Sequence, residues 1–407
     1  MPDVLLALRS LLRQPRRTAI ALFAIGFGVV ALLLAGGFME WIFWAMREST
    51  IQSQLGHVQV VRPGYLEQGA ADPYRYFMAE DDPQRTYLEK FDHSREVVPR
   101  INFNGLISHG DATVSFIGQG VDPARETVFS RDLVILEGTA LAVGDGQGLL
   151  LGEGLAANLG AKPGDTVVLL ATTPSGGINA VEGVVRGLFF TSNKEFDDAA
   201  LRLPLNLAQR LLKTQGVHRW LLLLDDTAYT DTAVAKIKMH FAAEGAELEV
   251  VPWYRLADFY NKTVALFGRQ LSLVAGIIGL IIVLSISNTM IMSVMERTRE
   301  IGTLLALGNR RRQVLGLYVS EGLWLGIIGG LAGVVIGVAL AQLISAVGIP
   351  MPPPPGMKRG YNGEIMLTWS LVAGTWLLAV ASTVLASLYP AWKASRLVIV
   401  DALRHGR

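Results

Sequence analysis

The densest chemistry in this 407-residue chain lies in MERTREIGTLLALGNRRRQV, residues 295–314. Glu296, Arg297, Arg299, Glu300 and Arg310 supply charge, Ile301, Leu304, Leu305 and Leu307 supply an apolar patch, and Gly302 and Gly308 punctuate the run. A helix continuing from Met295 to a stop at Gly308-Asn309 would display both. Charge bordering an apolar stripe is how a helix is recognised in the groove of a soluble partner. The plainer alternative is a juxtamembrane connector whose arginines rest on anionic lipid headgroups. Both are binding chemistries, and neither makes or breaks a bond.

Bond-making constellations are missing elsewhere. The chain has no cysteine, which removes thiol nucleophiles, disulfides and Cys-type zinc sites. His57, His93, His109, His218, His240 and His405 show no ligand spacing, and H-E-x-x-H and G-x-S-x-G are absent, so no catalytic or metal residue is assigned. The acid pairs Asp81/Asp82, Asp197/Asp198 and Asp225/Asp226 read as solvated turns. No G-x-x-x-x-G-K-[ST] loop cradles a nucleotide. A net charge of +1, with no basic run interleaved with aromatics, excludes nucleic acid as a partner.

The elements around residues 295–314 explain why a polar stretch sits there. With 51% hydrophobic and 17% charged residues, the chain is membrane-like. Apolar runs predict spans over 18–44, 267–294, 314–347 and 370–390, each near the ~20 residues a bilayer core requires. Arginines flank the first span (Arg9, Arg13, Arg16, Arg17), fill the 295–313 segment and recur with Lys393 in the 391–407 tail, which places these three faces in the cytoplasm. Residues 1–17 read as an amphipathic helix on the inner leaflet, with Val4, Leu5, Leu8, Leu11 and Leu12 on one face. Segment 45–266 and the loop 348–369 then lie outside the cytoplasm. Glu40, Arg269 and Glu321 stand near span ends, which argues against a solute pathway through the bundle.

Segment 45–266 reads as mixed α/β in two lobes. Strand, short helix, turn and strand are predicted over 148–170, and strand, helix and strand over 219–256. The fold class is thus a four-helix membrane protein, both termini cytoplasmic, with a large α/β domain inserted between helices one and two. Within the third span, Gly326, Gly329, Gly330, Gly333 and Gly337 repeat at small-xxx-small spacing, which lets helix backbones approach closely in lipid; ordinary membrane-helix glycine usage is the alternative.

ERTREIGTLLALGNRRRQV resembles the signature of FtsX-type ABC permeases, the group that includes MacB, LolC and LolE. YPAWKASRLVIVDALR is similar to that family's closing motif through Pro390, Ala391, Ala394, Ala402, Leu403 and Arg404, with Val398-Ile399 where Asp-Pro is usual. ALRSLLRQPRRTAIALFAIGFGV resembles its opening and LGEGLAANLGAKPGDTVVL its extracytoplasmic core. GHVQVVRPGY and FFTSNKEFDDAALRLPLNLAQRLL look more like the LolC/LolE-related members, with Ser192 or Asn193 where those carry Gly.

The resemblance implies a permease subunit of a mechanotransmission-type transporter in the inner membrane, its 45–266 domain in the periplasm. Its coupling element would be Glu296, Arg297, Arg299, Glu300, Ile301, Gly302, Leu304, Leu307 and Gly308. It implies a second permease copy, as homo- or heterodimer, and two copies of a separate ATPase that binds ATP and Mg, this chain holding no cofactor itself. A periplasmic carrier or adaptor is a further expected partner, beside the lipid bilayer. Release or transport of lipoprotein or lipid is the leading expectation; export of a peptide, macrolide-like or other amphiphile is the alternative, and a non-transporting scaffold or receptor the second.

Overall fold

The fold is described from a computed structural model, which defines residues 15–69, 72–79, 81–129, 133–191, 194–351 and 361–397. The expected interfacial helix lies outside these residues up to position 14, as do Ser192, Asn193 and the tail from 398, with Ala402, Leu403 and Arg404. The chain divides into two compact units, one built from 1–44, 263–351 and 361–407 and the other from 45–262 with 352–360.

Among the described residues, four helices are long and apolar enough to cross a membrane, and the first unit holds most of each: Pro15–Thr50, Asp258–Glu296, Arg311–Val347 and Trp369–Ser395. All four outrun the expected boundaries. The first has 36 residues and the second 39, about 54 and 58 Å at ~1.5 Å per residue, well beyond a ~30 Å hydrocarbon core. A hydropathy window marks the apolar stretch, whereas the backbone hydrogen bonds continue through polar ends such as MREST and DFYNKT. The fourth helix passes through Pro390 to Ser395, so 391–395 is helix and not tail. The loop between helices three and four holds a small hairpin, Ile349–Met351 paired with Tyr361–Gly363.

Glycines on two sides of the third helix set its packing. On one side a Cβ at Gly322 would meet Ser387, at Gly326 Thr383 and Val380, and at Gly330 Trp376, all on the fourth helix. On the other, a Cβ at Gly329 would meet Ile25, at Gly333 Val29 and the Gly26 backbone, and at Gly337 Leu33, all on the first helix. Apolar burial drives no association in lipid, so close van der Waals approach must, and glycine permits it. The second helix joins through its latter half, where Ile282, Ile286, Met290 and Val294 are buried and Ser287 donates to the Ala386 carbonyl at 2.7 Å.

In the second unit the strands, in chain order, are β1 Val58–Val61, β2 Met78–Ala79, β3 Ser94–His109, β4 Ala112–Val121, β5 Val134–Gly138 and β6 Gly148–Gly152. There follow β7 Thr166–Thr172, β8 Ile178–Phe190, β9 Ala200–Pro204, β10 Gly216–Val217, β11 Arg219–Leu224 and β12 Glu249–Pro252. Among the described residues the main sheet runs β12-β1-β11-β3-β4-β9-β6-β8-β5, with β7 paired to β3 and β8. GLLLG of β6 and WLLLL of β11 are buried throughout, as unbroken apolar runs in central strands should be. β7 alternates buried and accessible residues and covers one face only.

The two expected lobes share a strand. β3 pairs with β11 over its first half, up to Arg100, and with β4 from Ile101 onward. Leu155 and Leu159 of the short helix Glu153–Leu159 and Leu207, Leu211 and Leu212 of the helix Leu205–Leu212 complete the main core, in which Trp220 is fully buried.

Candidate functional site

The stretch beyond Glu296 does not continue the second helix. That helix ends at Glu296; Arg297 leaves helical geometry at φ −95° and ψ 10°, and a separate helix runs Thr298–Ala306. Thr298 Oγ1 donates to the Met295 carbonyl at 2.8 Å, satisfying an acceptor freed by the break. At the other end Gly308 takes φ +95°, its N–H reaches the Leu305 carbonyl at 3.2 Å, and the Asn309 N–H reaches the Leu304 carbonyl at 3.1 Å. This is the Schellman closure that glycine permits at this position. Gln313 Oε1 accepts from the Arg310 N–H at 2.7 Å and starts the third helix. The predicted stop at Gly308-Asn309 is where the helix ends; the predicted continuity from Met295 is not observed, because Arg297 turns the chain.

The turn divides the nominated residues. Ile301 is 2% exposed and packs with Val294, Val314 and Tyr318, Gly302 is buried beside it, and Leu304 and Leu305 are half-buried. Ile301 therefore fastens the helix to the bundle, by roughly 1.5–3 kcal/mol, and is not part of an outward patch. Arg299, Glu300, Thr303, Ala306 and Leu307 face outward, Leu307 being 79% exposed, with Gly308 and Arg310 to Arg312 beyond them. Thr303 and Ala306 escaped the sequence reading, although positions 299, 303, 306 and 307 follow helical spacing. Glu296 is bound in a two-point ion pair to Arg17 of the first helix.

Glu321 is not at a span edge. It lies about three turns into the third helix, 5% exposed, with Tyr318 3% exposed one turn before it. Glu321 is thus a buried acid, which hydropathy did not reveal.

In the α/β unit, the last turn of the first helix is held by a chain of hydrogen bonds. Thr227 Oγ1 donates to Glu48 Oε1 at 2.9 Å and lies 3.0 Å from His57 Nε2, while His57 Nδ1 accepts the Leu224 N–H at 3.0 Å. Burial pushes His57 down to about 4 against the opposing pull of Glu48 and Asp226, so it is neutral, with its proton on Nε2. His218, stacked between Tyr65 and Phe77, is also pushed down to about 4 by burial and is satisfied by the Asn102 N–H and the Pro73 carbonyl. Of the acid pairs, Asp82 and Asp226 cap turns, but Asp197 is 2% exposed and accepts from both the amide and the hydroxyl of Thr191. Burial raises its carboxyl, and it braces the end of β8; it is not a solvated turn residue.

Two family models match the chain: the MacB-like periplasmic core domain over residues 18–239 and the FtsX-like permease C-terminal region over residues 272–399. A macrolide export ATP-binding/permease protein MacB of Hyphomonas neptunium is 29% identical over 98% of this chain and 60% of its own length. A lipoprotein-releasing system transmembrane protein LolC of Xylella fastidiosa is 26% identical over 70% of this chain and 72% of its own. An uncharacterised ABC transporter permease of Methanocaldococcus jannaschii is 26% identical over 69% and 68%. The solved periplasmic region of MacB from Actinobacillus actinomycetemcomitans aligns with a TM-score of 0.38 at 13% identity, over 52% of this chain and 94% of that one. With one family model covering more than half of the chain and the other its later helices, this multi-pass membrane protein belongs to the ABC transporter permeases that join a MacB-like periplasmic core domain to an FtsX-like C-terminal region.

Proposed function

We propose that the chain is the permease subunit of a transporter working by mechanotransmission: a separate ATPase docks on Thr298–Ala306, and its closure on ATP biases the four helices and, through them, the α/β domain. The carrying observation is the outward face Arg299, Glu300, Thr303, Ala306 and Leu307 on a helix fixed by Ile301 underneath and by closures at both ends. A ligand shifts an equilibrium only by its differential affinity for two states, so the docking helix must be held firmly enough to pass that difference on. Glu48, Thr227 and His57 supply a corresponding hold where the first helix ends.

On this reading ATP and Mg are bound by two copies of the partner ATPase, serving a homo- or heterodimer of permeases. The membrane is the inner one, the α/β domain is periplasmic, and a carrier or adaptor meets it there. The arginines at 310–312 support a cytoplasmic short helix. Handling of a lipoprotein or lipid is the preferred cargo reading, supported by the LolC relative, whose alignment covers 72% of its length. Export of an amphiphile is a second reading, supported by the MacB relative, which covers 98% of this chain.

Leu307→Asp tests the proposal. Reconstituted in liposomes with the ATPase that co-purifies in mild detergent, the wild-type chain stimulates hydrolysis, and the variant inserts normally but does not. Undiminished stimulation, or mild-detergent complexes without any ATPase, overturns it and leaves the scaffold reading.

A further inference from the structure

Arg219, which opens β11, has no role in the coupling just described. Its guanidinium lines a cavity of about 240 Å³ with Tyr65, Leu66, Asn102, Phe103, Asn104 and Ile117. A guanidinium carries five N–H donors, yet among the described residues this one makes a single long hydrogen bond, Nη1 to Gln59 Oε1 at 3.4 Å, and its Nε is buried without an acceptor.

Its charged surroundings make the matter worse. In the sheet register Arg219 stands directly opposite Arg100, a like charge whose own guanidinium is engaged by Glu126 at 2.5 Å and Gln119 at 3.3 Å. Among the described residues no carboxylate forms an ion pair with Arg219, whereas buried charges in proteins are ordinarily paired. Asn102, on the same cavity wall, has a buried Oδ1 that accepts no hydrogen bond. Arg219 and Asn102 thus line one cavity, each with a buried polar atom that lacks a partner among the described residues. Leu66 and Ile117 stay 41% exposed at that cavity and give it an apolar rim.

We propose that this cavity binds a chain-terminal α-carboxylate, with the carboxylate on Arg219, the N–H of the same terminal residue on Asn102 Oδ1, and its side chain against Leu66 and Ile117. A guanidinium fork fits a carboxylate in two-point fashion. The space would hold about eight waters at ~30 Å³ each, enough for one terminal residue. A protein C-terminus and a free N-acylated amino acid share this chemistry.

Calorimetry on the full chain in detergent tests the site with N-acetyl-leucine, neutral N-acetyl-leucinamide and a tetrapeptide ending in leucine. Both carboxylates bind the wild type saturably, the amide does not, and Arg219→Met weakens the acids by about tenfold or more. Tighter binding of the tetrapeptide assigns a protein C-terminus, and equal binding assigns a small molecule. Arg219→Met also melts no lower than the wild type, because it removes an unpaired buried charge. If that variant does not fold, Asn102→Asp must weaken the acids comparably by placing a like charge beside them. Absence of saturable binding, or equal affinity for acid and amide, overturns the assignment.

Discussion

Arg17 in the first helix and Glu296, the last residue of the second, form a two-point ion pair across 279 positions of sequence. Both side chains remain partly exposed, at 33% and 45%, so the pair steers register more than it stabilises. Glu296→Gln is expected to change thermal stability in detergent by less than about 1 kcal/mol. Because the chain has no cysteine, Arg17→Cys with Glu296→Cys offers a clean pair for a short bismaleimide. Efficient cross-linking in native membranes is the expected outcome; its absence would refute the contact.

Gly333 is the tightest point between the first and third helices, where an added Cβ would lie 2.7 Å from Val29 Cβ and 2.9 Å from the Gly26 carbonyl oxygen. Gly333→Val should cost about 1–3 kcal/mol through overpacking. Gly276→Ala, with nothing within 4 Å of the new carbon, is the matched control and should be neutral or slightly stabilising. Detergent melting curves of the two variants give the comparison, and equal midpoints would refute the packing assignment.

His57 and His218 titrate near 4 in the folded chain against 6.5 when unfolded. Between these values the unfolded chain takes up protons that the folded chain refuses. Stability is therefore full above about pH 6.5 and declines as pH falls towards 4, by about 3 kcal/mol for each histidine. Hydrogen-exchange protection of residues 219–224 in the full chain should fall between pH 7 and pH 5. His57→Gln, which can both accept from Leu224 and donate to Thr227, should flatten that dependence; an unchanged slope would remove His57 from the account.

Glu321 offers a test of how the short helix is held. Glu321→Leu removes a buried acid one turn from Tyr318, which shares the buried cluster of Ile301, while leaving the exposed face Arg299 to Leu307 intact. Exchange of amides 298–306 should accelerate and ATPase stimulation should fall, with membrane insertion unchanged. Unaltered exchange would make Glu321 a bystander.

Much of this was legible in the residues. Apolar runs located the four helices, and the WLLLL and GLLLG runs located strands, whose lack of alternation the structure explains by burial on both sheet faces. Gly308-Asn309 announced its own helix stop. What escaped detection was non-local or directional. Nothing in MERTREIG says that the chain turns at Arg297, since the turn accompanies burial of Ile301 in a cluster shared with Val314 and Tyr318 of another helix. Grouping Ile301 with Leu307 as one patch overlooked a rotation that only the tertiary packing fixes. Arg17, Tyr318 and Glu321 joined the site from other helices, and Asp197 looked like a turn residue until Thr191 was seen to bind it.

The glycine faces of the third helix have a mechanical consequence. Helices that interlock through large side chains sit in discrete registers, because moving one past another requires many rotamers to repack together. At Gly26 against Gly333, and at Gly326 against Val380, the contact is backbone against backbone or a small group, with almost no rotamers to repack. At these two points the third helix can roll against its neighbours by small angles with few rotamers to repack, while Ile25, Leu33 and Trp376 still interlock with it between them. Directional control then falls to the interlocked ends, at Arg17 with Glu296 and at Ile301 with Tyr318.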